Sequence, residues 1–193
     1  MPYAPEHRQR TRKRILHAAR REMNRKGYGE ASIDSIMAEA GLTRGGFYGH
    51  FKGKEDLFIE VLADLADSPV DMTRRIPFTG LENFVDRYLS TAHRDQVEDG
   101  CSVPPLSPEI ARSGDKVRAA FSDFIATISD RLGTLIDEGD NDLNEGTAAD
   151  RALSALTACV GGLVLSRAVG DPALSDRILA AARRAAVRGS TPG

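Results

Sequence analysis

The chain has 193 residues, 41% of them apolar and 28% charged, enough for one large or two small packed domains and too apolar for wholesale disorder. The net charge of −2 hides a gradient: nine Lys/Arg stand against Glu6 and Glu22 in residues 1–26, so that segment carries +7 and the rest −9. A basic end on an acidic body admits contact with a phosphate backbone or, equally, a solvated helix face, and it excludes little else.

In chain order, Ile15, Ala19 and Met23 mark one face of a first helix, with Gly27 as its stop. Ser32 precedes Ile33, Ile36, Met37 and Ala40, so a short helix begins there and Gly41 ends it. Thr43 is placed to cap a second short helix running to about Phe51, and a longer helix starts near Gly53 and reaches about residue 67. Residues 68–80, with two prolines, break the periodicity and read as a joint. Leu81, Phe84, Val85, Tyr88 and Leu89 open an amphipathic helix extending to about residue 95. The segment DGCSVPPLSP (99–108) reads as a loop or a kink between helices, one of which is placed at 103–112, and Val117 to Ile136 form the strongest stripe of the chain. After a turn-rich stretch at 138–146, two helices are expected at 147–169 and 173–187. Alternating strand patterns are absent, so the fold class is all-α, with about eight or nine helices.

Function concentrates in SIDSIMAEAGLTRGGFYGHFKGKEDLF, residues 32–58. Two short helices around a glycine turn are the helix-turn-helix arrangement, whose second helix enters the major groove of DNA. Ile36, Ala40 and Leu42 would pack against Phe47 and Phe51, leaving the opposite face outward. Gly45, Gly46 and Gly49 each cost about 1 kcal/mol of helix propensity against alanine. A core helix gains nothing from them, whereas a backbone that must approach DNA does. Arg44 is suited to guanine O6 and N7, the Thr43 methyl to a thymine methyl, and Tyr48, His50 and Lys54 to phosphates.

These residues resemble the DNA-binding domain of the TetR family of transcriptional regulators. The likeness lies in Ala40-Gly41, Thr43, Phe47-Tyr48-Gly49-His50-Phe51 and Lys54, with Ile15, Ala18, Ala19, Gly27-Tyr28 and Ser32 upstream, and covers about residues 10–62. Two positions depart from the pattern: Met37 stands where alanine is usual, and Gly49 where a larger residue is frequent. The resemblance implies an N-terminal three-helix domain at 8–68 and a C-terminal helical ligand-binding and dimerisation domain at 80–188. It implies a homodimer that represses from a palindromic double-stranded operator and leaves it when a small-molecule effector binds. The DNA-contacting set becomes Ser32, Thr43, Arg44, Gly45, Gly46, Tyr48, His50 and Lys54. The helices at 147–169 and 173–187 would form the dimer's four-helix bundle.

An effector pocket is expected between helices 81–95, 103–112 and 115–137, lined by Phe84, Tyr88, Phe121, Phe124 and Ile128, each of which reads equally well as core. Cys159, among small apolar residues, reads as core. Cys101 follows Gly100 near His93 and Arg94, and some regulators of this type with a similar Gly-Cys segment sense electrophiles through that thiol. Asp95, Glu98 and Asp99 push its reactivity the other way. No apolar stretch reads as approaching the ~18–20 residues of a membrane span, and MPYAPEHRQRTRKR lacks the apolar segment of a secretory signal. The two cysteines lack Cys-x-x-Cys spacing, which excludes a disulfide framework and the usual zinc motifs. A cytoplasmic, thiol-reducing setting is expected, with no metal, cofactor or membrane partner. No phosphate loop, dinucleotide fingerprint or nucleophile elbow is present, so an enzyme is not expected. The alternative is a helical protein–protein interaction module that never meets DNA.

Overall fold

The computed structural model describes residues 5–67, 79–137 and 147–188. The described residues form nine α-helices and one 3₁₀ helix: α1 Pro5–Glu30, α2 Ile33–Glu39, the 3₁₀ helix Arg44–Gly49, α3 Lys54–Asp67, α4 Leu81–Tyr88, α5 Thr91–Asp95, α6 Val103–Ile110, α7 Asp115–Asp137, α8 Ala148–Ala168 and α9 Pro172–Arg188. The all-α expectation holds. The chain divides into two compact units, residues 1–68 with 105–124, and residues 69–104 with 125–193. But for residues 79 and 80, the expected joint at 68–80 and loop at 138–146 lie outside the described residues.

In the first unit, α1 buries Ile15, Ala18, Ala19 and Met23 among Ile36 and Met37 of α2, Phe47 and Phe51, and Leu57, Phe58, Val61 and Leu62 of α3. Burying each such large side chain contributes about 1.5–3 kcal/mol, so this cluster fixes the angle between α2 and the 3₁₀ helix. The Phe47 and Phe51 rings lie 5.7 Å apart. Ser32 and Ser35 form a reciprocal capping box at the start of α2. Its end is a Schellman turn: Leu42 N–H donates to Met37 O at 2.8 Å and Gly41 N–H to Ala38 O at 2.9 Å, with Gly41 at φ 65°. A side chain is disfavoured at that φ, which is why the turn carries glycine.

Four local readings are revised. The second short helix is 3₁₀ rather than α and ends at Gly49, as its three glycines favour little regular helix. Thr43 holds the N-cap position, but its side chain makes no capping bond. The Gly46 N–H that it would serve already donates to the Thr43 carbonyl at 3.0 Å. The helix expected at 103–112 is present as Val103–Ile110, so residues 103–108 of the segment also read as a loop or kink are helical. Pro104 and Pro105 fall in its first turn, where N–H groups have no intrahelical acceptor, and Pro108 lies inside it. The helix expected over 81–95 is two helices, the second capped by Ser90, which accepts from His93 N–H at 3.1 Å.

In the second unit, Leu81, Phe84, Val85, Tyr88 and Leu89 pack with Leu132, Ile136, Ala152, Ala155, Leu156, Cys159, Leu163, Leu179 and Ala186. Helix α8 corrects a further expectation, since its length and a mean hydropathy of 1.4 over 18 residues suit a membrane span. Leu153, Leu156, Val160, Leu163, Val164 and Leu165 supply most of that apolarity, with alanines between them. Within the unit this helix packs on α4, α5 and α9, with Gly162 against Ala182, and carries buried Arg151.

Candidate nucleic-acid interface

The outward side of the helix-turn-helix carries polar groups on a backbone fixed from within. Arg44 and Asp34 are both exposed and paired, Nη1 to Oδ2, at 2.6 Å. Asp34 lies in the first turn of α2, so the pair ties the start of one helix to the start of the other. Sequence reading missed Asp34 as a partner; the ten-residue separation carries no periodic signal. Tyr48 is 58% exposed, its ring edge-on to buried Phe47 at 5.3 Å. A phenol held by its base and wet at its tip is suited to a phosphate oxygen.

A Cβ at Gly45 or Gly49 would meet no atom within 4 Å, and one at Gly46 only the end of Met37 at 3.6 Å. Packing therefore does not require these glycines. Their effect is to leave the exposed backbone of residues 44–49 uncovered.

The basic N-terminus is partly absorbed inside the unit. Arg8 donates to Gly49 O at 3.0 Å, Arg12 to His50 O at 3.2 Å and Arg14 to Ala40 O at 2.7 Å. The first two satisfy carbonyls at the end of the 3₁₀ helix, where a cation is favoured. Arg12 also pairs with Glu60 and lies over the Phe51 ring at 4.6 Å. Arg10 and Lys13 are exposed. His50 is half-buried, and burial, with Arg8 and Arg12 near it, lowers its pKa below the ordinary histidine value.

Ser32 is exposed at the α2 cap, its hydroxyl accepting from Ser35 N–H at 3.0 Å. Thr43 is exposed beside Arg44. Lys54 donates to Tyr28 O at 2.6 Å and Gly29 O at 3.0 Å, with its ammonium 4.6 Å from the centre of the Tyr28 ring. Two of its three donors are thus used within the protein. All eight predicted DNA-contacting residues lie in the first unit.

Of the expected effector residues, Phe84, Tyr88 and Cys101 lie in the second unit and Phe121 and Phe124 in the first. The Phe84 and Tyr88 rings are buried 5.5 Å apart, and half-buried Cys101 packs on the same cluster. Burial, with Cys101 beside it, pushes the Tyr88 hydroxyl well above its ordinary pKa. His93 closes this corner: its Nδ1 lies 2.7 Å from Tyr88 O, and its Nε2 accepts from Cys101 N–H at 3.0 Å. Buried Cys159 has its thiol pushed up to about 12 by burial, as a core residue should.

This geometry defines a helix-turn-helix protein of the DNA-binding class, its inner face packed and its outer face polar. The sequence model described as bacterial regulatory proteins, tetR family, matches residues 15–61, and that of the tetracyclin repressor-like C-terminal domain matches residues 77–182. The chain belongs to the TetR family of transcriptional regulators.

Among curated relatives, it is 45% identical over 53 residues to the HTH-type transcriptional regulator AcrR of Shigella flexneri, covering 28% of this chain and 25% of that one. It is 43% identical over 53 residues to SrpR of Pseudomonas putida, covering 28% and 25%. The match spans about a quarter of the length of these relatives. The reduced form of E. coli NemR superposes with a TM-score of 0.70 at 16% identity, over 92% of this chain and 95% of that one. A TetR-family regulator from Agrobacterium tumefaciens gives 0.70 at 21% identity, over 92% and 97%. At such identities the likeness is one of fold.

Proposed function

We propose that the protein is a ligand-responsive repressor that binds a palindromic DNA operator as a homodimer. The observation that carries this reading is the exposed face of residues 43–50, with Arg44 and Tyr48 outward above buried Phe47 and Phe51. Arg44 reads a guanine edge while Thr43 meets a thymine methyl, and Ser32, Tyr48, His50 and Lys54 hold phosphates, with Gly45 and Gly46 admitting the backbone. DNA binding is assigned to residues 8–68, and effector binding and dimerisation to residues 80–188. Exposed Leu153, Val164, Leu165 and Leu174 on α8 and α9 support a dimer face there. Two copies related by a two-fold axis present their reading helices to half-sites about one DNA turn, ~34–36 Å, apart.

The effector is a small molecule, with Phe84 and Tyr88 of the second unit as its apolar contacts, or an electrophile taken by Cys101. Its binding shifts α3 and with it the separation of the two reading helices. Weakening operator binding 100-fold requires about 2.7 kcal/mol of preference for the non-binding state. The protein acts in the cytoplasm, where the operator lies. Selection of duplexes from a randomised 30-base-pair library by the full chain tests this reading. A two-fold symmetric consensus supports it, and no enrichment contradicts it.

A further inference from the structure

The last residues of α1, beyond its break at Gly27, are gripped from outside the helix-turn-helix. Glu109, in α6, accepts from Tyr28 N–H at 3.0 Å through Oε1 and from Gly29 N–H at 2.6 Å through Oε2. Lys54 donates to the carbonyls of the same two residues. The peptide unit joining Tyr28 to Gly29 is therefore held on both sides: its N–H meets the carboxylate and its C=O meets the ammonium. In a trans peptide these groups point in opposite directions, so the two bonds fix the rotation of the plane between them. The opposite charges at its ends polarise the peptide in the same sense and strengthen both bonds.

The local sequence is shaped for this grip. Gly27, at φ 85°, interrupts α1, and a Cβ there would collide with Glu109 Oε1. A Cβ at Gly29 would come within 3.3 Å of Oε2. Tyr28 is seated by Phe58 of α3, ring centres 4.9 Å apart, and covers the Lys54 ammonium. Gly-Tyr-Gly thus provides two open amides for a carboxylate and an aromatic wall for a cation.

We infer that Glu109 is a positioning residue for DNA binding: its carboxylate orients the 28–29 peptide, which in turn holds the Lys54 ammonium so that its third donor meets a phosphate. This rests on the proposed DNA-binding function. It assigns a DNA-binding role to a residue beyond the 15–61 segment matched by the family's DNA-binding model.

The sign of the effect separates this role from simple charge. Removing a carboxylate near the DNA-binding unit would, by charge alone, strengthen binding to a polyanion. Loss of positioning weakens it.

The test uses the full chain and a duplex recovered by it from the randomised library, with dissociation constants measured across a salt series. Glu109→Gln is expected to weaken binding about tenfold. It should also reduce the slope of log K against log salt by about 0.9 for each phosphate that is no longer neutralised. In a Lys54→Ala background the same change should cost less than twofold. Amide exchange at Tyr28 and Gly29 should speed up in Glu109→Gln while the unfolding midpoint of the first unit moves little. Tighter or unchanged binding by Glu109→Gln, an equal loss in the Lys54→Ala background, or unprotected Tyr28 and Gly29 amides in the unaltered chain would overturn the inference. If the unaltered chain binds no duplex in a salt-dependent way, the DNA-binding reading itself fails and takes this inference with it.

Discussion

Acidification from about pH 7 to about pH 5 is expected to weaken the second unit through His93. Its neutral ring makes two opposed hydrogen bonds, with Nδ1–H donating to Tyr88 O and Nε2 accepting from Cys101 N–H. A protonated imidazolium accepts nothing, so the Cys101 amide would lose its partner. Burial lowers the folded pKa from 6.5 to about 4; the Tyr88 carbonyl opposes this and Arg167 adds to it. As pH falls below about 6.5, the unfolded chain takes the proton before the folded one does. Stability is therefore lost on acidification, until near pH 4 the folded ring protonates too.

Between pH 7 and pH 5 that difference amounts to about 2 kcal/mol. For a chain of this size it lowers the unfolding midpoint by roughly 4–8 °C. Calorimetry at both pH values, on the unaltered chain and on His93→Gln, isolates this contribution from that of the carboxylates. The drop should be smaller in the variant by about that amount. An identical drop in both, or a His93 ring that titrates above pH 6 by NMR in the folded chain, refutes the reasoning.

A Cβ at position 162 would collide with Ala182 Cβ and lie 3.2 Å from Leu89 Cδ2, so Gly162→Val should cost about 1–3 kcal/mol or more. A lower urea midpoint checks it, and an unchanged one shows that α8 and α9 are not packed so closely. Arg44→Ala should remove about 1–3 kcal/mol of discrimination at one base pair of each half-site, read by competition among single-base variants of the selected duplex. Tyr48→Phe should weaken all duplexes alike, leaving the consensus unchanged in the same competition. Cys101→Ser should abolish release of DNA by quinones or aldehydes; unchanged release removes the electrophile reading.

The helix-turn-helix was legible because its determinants are local. Ser32 caps, Gly41 turns, and Phe47 and Phe51 recur at a spacing that puts both inside. The 3₁₀ geometry was not legible, since glycines lower α propensity without naming what replaces it. The prolines of α6 gave two opposed readings of one segment, a breaker at 99–108 and a helix at 103–112. Pro104 and Pro105 open the helix, while Pro108 lies inside it, where proline ordinarily breaks one. The break at Ser90 was hidden under a continuous apolar stripe from Leu81 to Leu89. Charge was the least legible property. The N-terminal arginines look alike in sequence, yet Arg8, Arg12 and Arg14 serve carbonyls at the ends of the two reading elements. Glu109 was invisible because its partners lie about 80 residues away.

Hydroxyl-radical footprinting of the full chain on the duplex it selects measures the central claim most directly. The account predicts two protected patches related by a dyad, centred about 10 base pairs apart, both lost in Tyr48→Ala. A protein that leaves the duplex uniformly cleaved, or protects it equally well without Tyr48, would contradict the account.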